Sequence, residues 1–411
     1  MSYRSSTLPL LLVMALIPVH AGAESASSED LQNQIDSLKQ QVKQLSNQQN
    51  EQSSGSSFNP DISLILSGIY GDLSQDPDTY TIPGITLGPD TSPGPDGLSI
   101  AESELVISSN IDDWFYGRFT GAITPDNEFE VEEAFIQTTA LPAGFTIQAG
   151  RFYSELGYLN AQHSHQWDFV DQPLIYRAFL ANQYNDDGTQ LRWLAPTDYF
   201  LEFGGEVFRG DSYPAGGTSN QMAGTYTAFV GAGDDVGDSN SWKAGLSYFN
   251  AKANPLLTQD DTLSFTGTTE LYTAYLVWKW APHGNPYDKN LKFQTAYMQS
   301  PQKGTYSDGG PIDNNRYGWY GQVVYQFMHG WRTAFRMDWM HIQDPGPAFT
   351  GTVLDPDSHD PTRYSVMVDF SHSEFSRLRL QYNRDNSGLT PENEVYLQYI
   401  MSLGAHGAHR F

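Results

Sequence analysis

The hexapeptide Arg377-Leu378-Arg379-Leu380-Gln381-Tyr382 alternates charged or polar side chains with apolar ones at a period of two. The segment before it does the same, with Tyr364, Val366, Val368 and Phe370 on one parity and Arg363, Ser365 and Asp369 on the other. Successive side chains on a strand point to opposite faces, so each segment is a strand with one apolar and one polar face. Working outward, the pattern returns in Phe335, Met337 and Trp339 against Arg336 and Asp338. It returns again in Trp242, Ala244, Leu246 and Tyr248 against Lys243, Gly245 and Ser247.

A soluble sandwich also alternates, and two details separate it from a membrane barrel. Aromatic residues sit repeatedly at the ends of the apolar face: Trp114 with Phe115, Trp278 with Trp280, Tyr317 with Trp319, and Trp339. Such rings suit the girdles that a transmembrane barrel places at the two bilayer interfaces. The polar face also carries charge at mid-strand, at Arg118, Arg192, Lys243, Arg336 and Arg379. An outward apolar band around a polar lumen accounts for both.

Sixteen such segments lie between residues 62 and 411, the even number expected of a single-chain bacterial outer-membrane barrel. Connections after even-numbered segments are mostly short, as at 110–113, 140–143, 195–198, 328–330 and 371–373. Those after odd-numbered segments are mostly long: 71–98, 153–188, 251–268, 299–316 and 342–361. Short periplasmic turns and long outer loops give that asymmetry. Stepping back by twos from Phe411 stays in phase with an apolar face, which predicts Phe411 as a C-terminal assembly signal. The expected fold is all-β, a transmembrane antiparallel β-barrel of about 16 strands behind a short N-terminal coiled-coil helix.

The rest of the 411-residue chain organises around that barrel. Arg4, the apolar run Leu8 to Val19 and Ala21-Gly22-Ala23 have the layout of a secretory signal peptide over 1–23. Leu31, Ile35, Leu38, Val42 and Leu45 are spaced as the seam of a coiled coil over 24–52. Ser53-Ser54-Gly55-Ser56-Ser57 reads as a linker over 53–57, leaving 58–411 for the barrel. The expected location is a Gram-negative outer membrane with the coil in the periplasm, and the expected partners are the bilayer, the assembly machinery and further copies of the chain.

Composition excludes several functions. A formal charge of −26 repels a phosphate backbone, which argues against nucleic acid. The absence of cysteine removes disulfides, thiolate metal sites and thiol nucleophiles. No Gly-x-Ser-x-Gly elbow and no His-Glu-x-x-His run occurs, so an enzyme is not expected.

The connection 153–188 is rich in aromatic residues and poorly suited to lie in water, so it is expected to fold into the lumen. Glu155, His163, His165, Asp168, Asp171 and Arg177 would then form the pore constriction. Arg118, Arg192, Arg336, Arg363, Arg377 and Arg379 would line the pore wall, and acids opposite arginines would set a transverse field on the permeant. The alternative is that these charges simply pair. His163, His165 and Asp168 also offer imidazole and carboxylate ligands for zinc, and no other cofactor is expected.

Finally, Phe58 to Leu66, Glu102-Ser103-Glu104-Leu105, Glu132-Glu133-Ala134-Phe135, Gly150-Arg151-Phe152, His163 to Arg177 and Leu403 to His409 resemble a proteobacterial porin-like outer-membrane family. Its members are often labelled zinc-regulated TonB-dependent outer-membrane receptors, which implies metal-linked uptake. The N-terminal coil resembles the periplasmic coils of some trimeric porins, which implies a trimer, whereas its β-branched and Leu seam positions by themselves favour a dimer. The expected function is a channel for diffusion of small hydrophilic solutes or ions. The alternatives are a receptor for a metal ion or metal chelate of zinc or siderophore type, and a closed structural or adhesive barrel.

Overall fold

The computed structural model describes residues 60–404 apart from 90, 95, 126, 217–222 and 259–261. The expected signal peptide at 1–23, coil at 24–52, linker at 53–57 and terminal Phe411 lie outside the described residues. Within them, no helix is long and apolar enough to cross a membrane.

The first strands are β1 (Asp61–Leu73), β2 (Gly97–Ile100), β3 (Ser103–Asn110), β4 (Phe115–Ile123), β5 (Phe129–Thr138) and β6 (Phe145–Tyr153). The next are β7 (Asn185–Leu194), β8 (Phe200–Phe208), β9 (Thr225–Val236), β10 (Asn240–Leu257), β11 (Ser264–Trp280) and β12 (Asn290–Tyr306). The last are β13 (Gly310–Met328), β14 (Trp331–Ile342), β15 (Thr362–Ser373), β16 (Ser376–Asn386) and β17 (Glu392–Gly404). One short helix, α1 (Leu174–Leu180), lies in the connection between β6 and β7.

Consecutive strands from β3 to β17 pair antiparallel, and β1 closes the ring by pairing with β17, as in Leu64 opposite Leu403. On its other side β1 pairs with both β3 and β2. Strands β2 and β3 therefore share one stave, interrupted at Ala101-Glu102, and the barrel has sixteen staves. Ser67 holds the interruption together: its N–H donates to Ser103 Oγ at 3.1 Å and its carbonyl accepts from Ala101 N–H at 2.9 Å. A TonB-dependent receptor has 22 strands around a plug, so that part of the resemblance does not hold for this barrel.

The alternation resolves into an inside-out arrangement. Tyr364, Val366, Leu378, Leu380 and Tyr382 are exposed, whereas Arg363, Ser365, Asp369, Arg377, Arg379 and Gln381 are buried. In water this would be untenable, because apolar surface would be wet and charge desolvated. Against lipid it is the stable solution.

Two expected loops are strands. Residues 251–257 continue β10 and 299–306 continue β12, so the hairpins β10–β11 and β12–β13 stand taller than their neighbours. Their Gly, Pro and Asp residues look like loop composition, but the ladder runs through them from Tyr306 opposite Gly310 inward.

The lumen is packed rather than uniformly wet. Residues Tyr80, Ile82, Ile85 and Leu87 from the first long connection meet Leu156, Leu159 and the apolar residues of α1 inside the barrel. Met298, Tyr320, Met340 and Ile342 of the wall complete this core. Tyr213 Oη, from the connection after β8, donates to Thr86 O at 2.6 Å and to Ala178 O at 3.2 Å, tying three connections together.

Candidate functional site: a lumen loop fixed to two walls

The connection 154–184 crosses the lumen and is anchored at both ends of its span. Helix α1 starts after Pro173, which fixes the entry, and ends where Ala181 and Asn182 adopt the left-handed conformation. Every residue of α1 is buried, including Arg177. Gly157, at φ +71°, lets the chain turn beside the Tyr176 ring, whose Oη accepts from Tyr158 N–H at 3.2 Å and Leu159 N–H at 3.3 Å.

On the β12–β16 wall the anchor is ionic. Asp168 meets Lys292 at 2.5 Å and Arg332 at 3.3 Å. Asp171 meets Arg363 at 2.7 Å, Arg336 at 2.8 Å and Arg177 at 3.5 Å. Loop carbonyls add further contacts: Trp167 O accepts from Arg379 at 2.7 Å and Gln172 O from Arg363 at 2.5 Å. Burial pushes the Asp168 and Asp171 carboxyls up, but Lys292 and Arg332 for the first, and Arg336 and Arg363 for the second, outweigh it. Both are held well below the usual carboxylate range. Desolvating an ion costs several kcal/mol, and these arginines are tolerated because acids surround them from both sides: Asp168 and Asp171 from the loop, and Asp338, Asp369 and Asp385 from the wall.

The β3–β5 wall carries the opposite sign. His163 Nδ1 lies 3.1 Å from Glu132 and 3.2 Å from Glu104, and its Nε2 lies 2.9 Å from Glu133. His165 Nδ1 lies 2.8 Å from Glu104, and Ser164 Oγ donates to Glu102 at 2.6 Å. Arg118 pairs with Glu133 at 2.9 Å. A β-bulge explains how adjacent glutamates reach one ring: Thr120 pairs with Glu133 and Gly121 with Val131, leaving Glu132 as the extra residue. Burial disfavours the His163 cation, but Glu104, Glu132 and Glu133 override it and raise its pKa well above the ordinary range.

The third side of the loop faces open space. A cavity of about 640 Å³ lies between Tyr158, Gln162, Gln166 and Asp168 of the loop and Lys279, Lys292, Arg332 and Arg377 of the wall. It reaches the short turns around Asp238 and Ala281. Glu155 and Arg192 are partly exposed and 4.0 Å apart.

The expected constriction residues thus fall into three groups. Glu155 lies beside Arg192, His163 and His165 join the β3–β5 wall, and Asp168, Asp171 and Arg177 join the β12–β16 wall. Of the expected wall residues, Arg336, Arg363 and Arg379 are fully buried under the loop and Arg377 nearly so, while Arg118 and Arg192 are partly exposed. Acids and arginines touch rather than face each other across a gap. Asp168 also does not join His163 and His165 as a metal ligand, because Lys292 and Arg332 hold it on the other wall. Glu104 and Glu132 stand in its place, their donor atoms within 4.8 Å of one another and of His163. Sequence reasoning missed Glu102, Glu104, Glu132, Glu133, Lys279, Lys292 and Arg332 as site residues. The available signal was charge on the inward parity, as at Glu104 beside outward Leu105.

No family model matches the chain. Among solved structures, the outer membrane channel DcaP of Acinetobacter baumannii is similar at TM-score 0.54 and 12% identity, covering 84% of this chain and 97% of that one. The anion-selective porin from Comamonas acidovorans gives TM-score 0.53 at 10% identity, covering 84% and 99%. OmpT of Vibrio cholerae in its trimer form gives TM-score 0.53 at 9% identity, covering 84% and 99%. At such identities the likeness is one of fold, and that fold is the porin barrel. In sequence, a protein of Aquifex aeolicus (strain VF5) described as uncharacterized is 30% identical over 338 aligned positions, a match that covers 77% of this chain and 70% of that protein. The chain therefore belongs to the family of this Aquifex aeolicus protein and is built on the sixteen-stave porin barrel.

Proposed function

We propose that the protein is an outer-membrane channel through which small hydrophilic solutes or ions diffuse. The observation that carries this reading is the cavity of about 640 Å³ beside the anchored loop, lined by Lys279, Lys292, Arg332 and Arg377 within a barrel whose outer surface is apolar. The loop narrows the lumen from two walls, and the passage runs along the third, past Lys279 and Lys292. Rings and rows of charge at such a narrowing select permeants by sign. In this reading 1–23 directs export, 24–52 joins copies of the chain, a trimer being the assembly the resemblance implies, and Phe411 serves barrel assembly.

A second reading, a closed barrel with a structural or adhesive role, is favoured by the apolar core that the loops build inside the lumen. Planar-bilayer recording of the full chain separates the two. The channel reading expects discrete conductance steps; a silent, correctly folded barrel would establish the second.

A further inference from the structure

We propose that Glu104, Glu132 and His163 form a binding site for one divalent transition-metal cation of the zinc class, which clamps the lumen loop to the β3–β5 wall. The site is distinct from the conduction path and does not depend on whether the barrel conducts.

The geometry is that of a ligand set. Zinc donors at about 2.0–2.2 Å on tetrahedral corners lie roughly 3.3–3.6 Å from one another. His163 Nδ1 stands 3.2 Å from Glu104 Oε2 and 3.1 Å from Glu132 Oε2, just inside that spacing. All three residues are at least nine-tenths buried. A cation replacing the Nδ1 proton would sit among one nitrogen and two carboxylate oxygens, a hard and borderline donor set suited to zinc.

An independent observation points to a ligand. Glu104 is fully buried, yet its Oε2 accepts no hydrogen bond. The hydrogen bond at His163 Nδ1 is made with Glu132. A buried carboxylate oxygen with no hydrogen bond of its own, 3.2 Å from an imidazole nitrogen already bonded to Glu132, is costly, and a cation at this position would remove the cost.

The surroundings already hold the ligands in place as metal sites require. Metal-bound imidazoles commonly donate their other nitrogen to a carboxylate, which fixes the tautomer. Here His163 Nε2 is 2.9 Å from Glu133, itself held by Arg118 at 2.9 Å. His165 plays the matching part for Glu104, meeting its other oxygen at 2.8 Å. The bulge at Glu132 supplies the second carboxylate, and such bulges re-aim side chains next to functional sites.

The test uses the full chain in detergent, stripped with a chelator and titrated with Zn²⁺ alone by calorimetry, with bound metal counted after dialysis. One zinc per chain is expected. Glu104→Gln and His163→Ala should each abolish binding at that site. Glu133→Gln, which touches the imidazole but not the metal, should weaken it by about 10–100-fold. His341→Ala, at an exposed histidine paired with Asp360, should leave it unchanged. Heat-modifiable electrophoretic migration checks that each variant is a folded barrel. X-ray absorption at the zinc edge should show mixed nitrogen and oxygen ligation with a single imidazole. No stoichiometric zinc on folded wild-type protein, or equal binding by Glu104→Gln, would overturn the proposal and leave His163 as an ion-pair partner only.

Discussion

Asp171 Oδ1 accepts a hydrogen bond from Arg336 Nη2 at 2.8 Å across 165 residues of chain, joining the lumen loop to the barrel wall. The same carboxylate holds Arg363 through its second oxygen at 2.7 Å. One acid thus pairs with two buried guanidinium groups, and Asp338 of the wall shares both of them. The loop is part of the wall's electrostatic balance as well as an obstruction in the lumen.

Asp171→Asn should free the loop on this side. Removing one partner of a buried ion pair typically costs about 3–5 kcal/mol, and the cost should lie at the low end here because Asp338 still meets Arg336 and Arg363. The expected outcome is faster proteolysis within 154–184 and a larger, noisier conductance. Limited trypsin digestion alongside bilayer recording checks both.

The same contacts fix a pH dependence. The folded carboxyls of Asp168 and Asp171 are held below the ordinary aspartate value of about 3.9. A depressed folded pKa contributes stability above the unfolded value, which is lost as pH falls through the folded one. Anchoring on the β12–β16 wall should therefore persist from pH 8 to about 4 and weaken only below that. Fluorescence of Trp167, whose carbonyl is bound by Arg379, follows it; release near pH 6 would contradict the assignment.

How much of this was legible in the sequence follows from the range of each interaction. Period-two alternation is local, so the strands from Arg363 to Tyr382 could be read residue by residue. The interrupted stave at Ala101-Glu102 could not, because it is defined only by what β1 pairs with on either side of Ser67. The aromatic content of 153–188 announced a buried loop. Its partners were hidden: Asp168 was grouped with His163 by proximity in sequence, whereas Lys292 and Arg332 claim it from distant strands. Glu132 was hidden more deeply, since strict alternation sends it away from Glu133 and only the bulge turns both toward His163.

Lys279 provides a handle on the open side of the loop. It borders the cavity, and no salt-bridge partner lies within 4.0 Å of it among the described residues. Lys279→Glu should shift selectivity toward cations, read as a change in reversal potential under a salt gradient. The Debye length is about 10 Å at 0.1 M salt and 3 Å at 1 M, so the shift should be clear at the lower concentration and nearly absent at the higher.

Gly157 tests the packing inside the lumen. An added Cβ would collide with Tyr176 Oη, at a backbone φ of +71°. Gly157→Val should strain the turn by roughly 1–3 kcal/mol and dislodge the Tyr176 hydroxyl from Tyr158 and Leu159. Loop proteolysis should accelerate while the barrel itself, monitored by heat-modifiable migration, stays folded.

Conduction past the anchored loop is the central claim, and planar-bilayer recording of the purified full chain addresses it most directly. Discrete, ohmic steps that grow in Asp171→Asn are the predicted result. A folded wild-type barrel that inserts without conducting, and an equally silent Asp171→Asn, would contradict it.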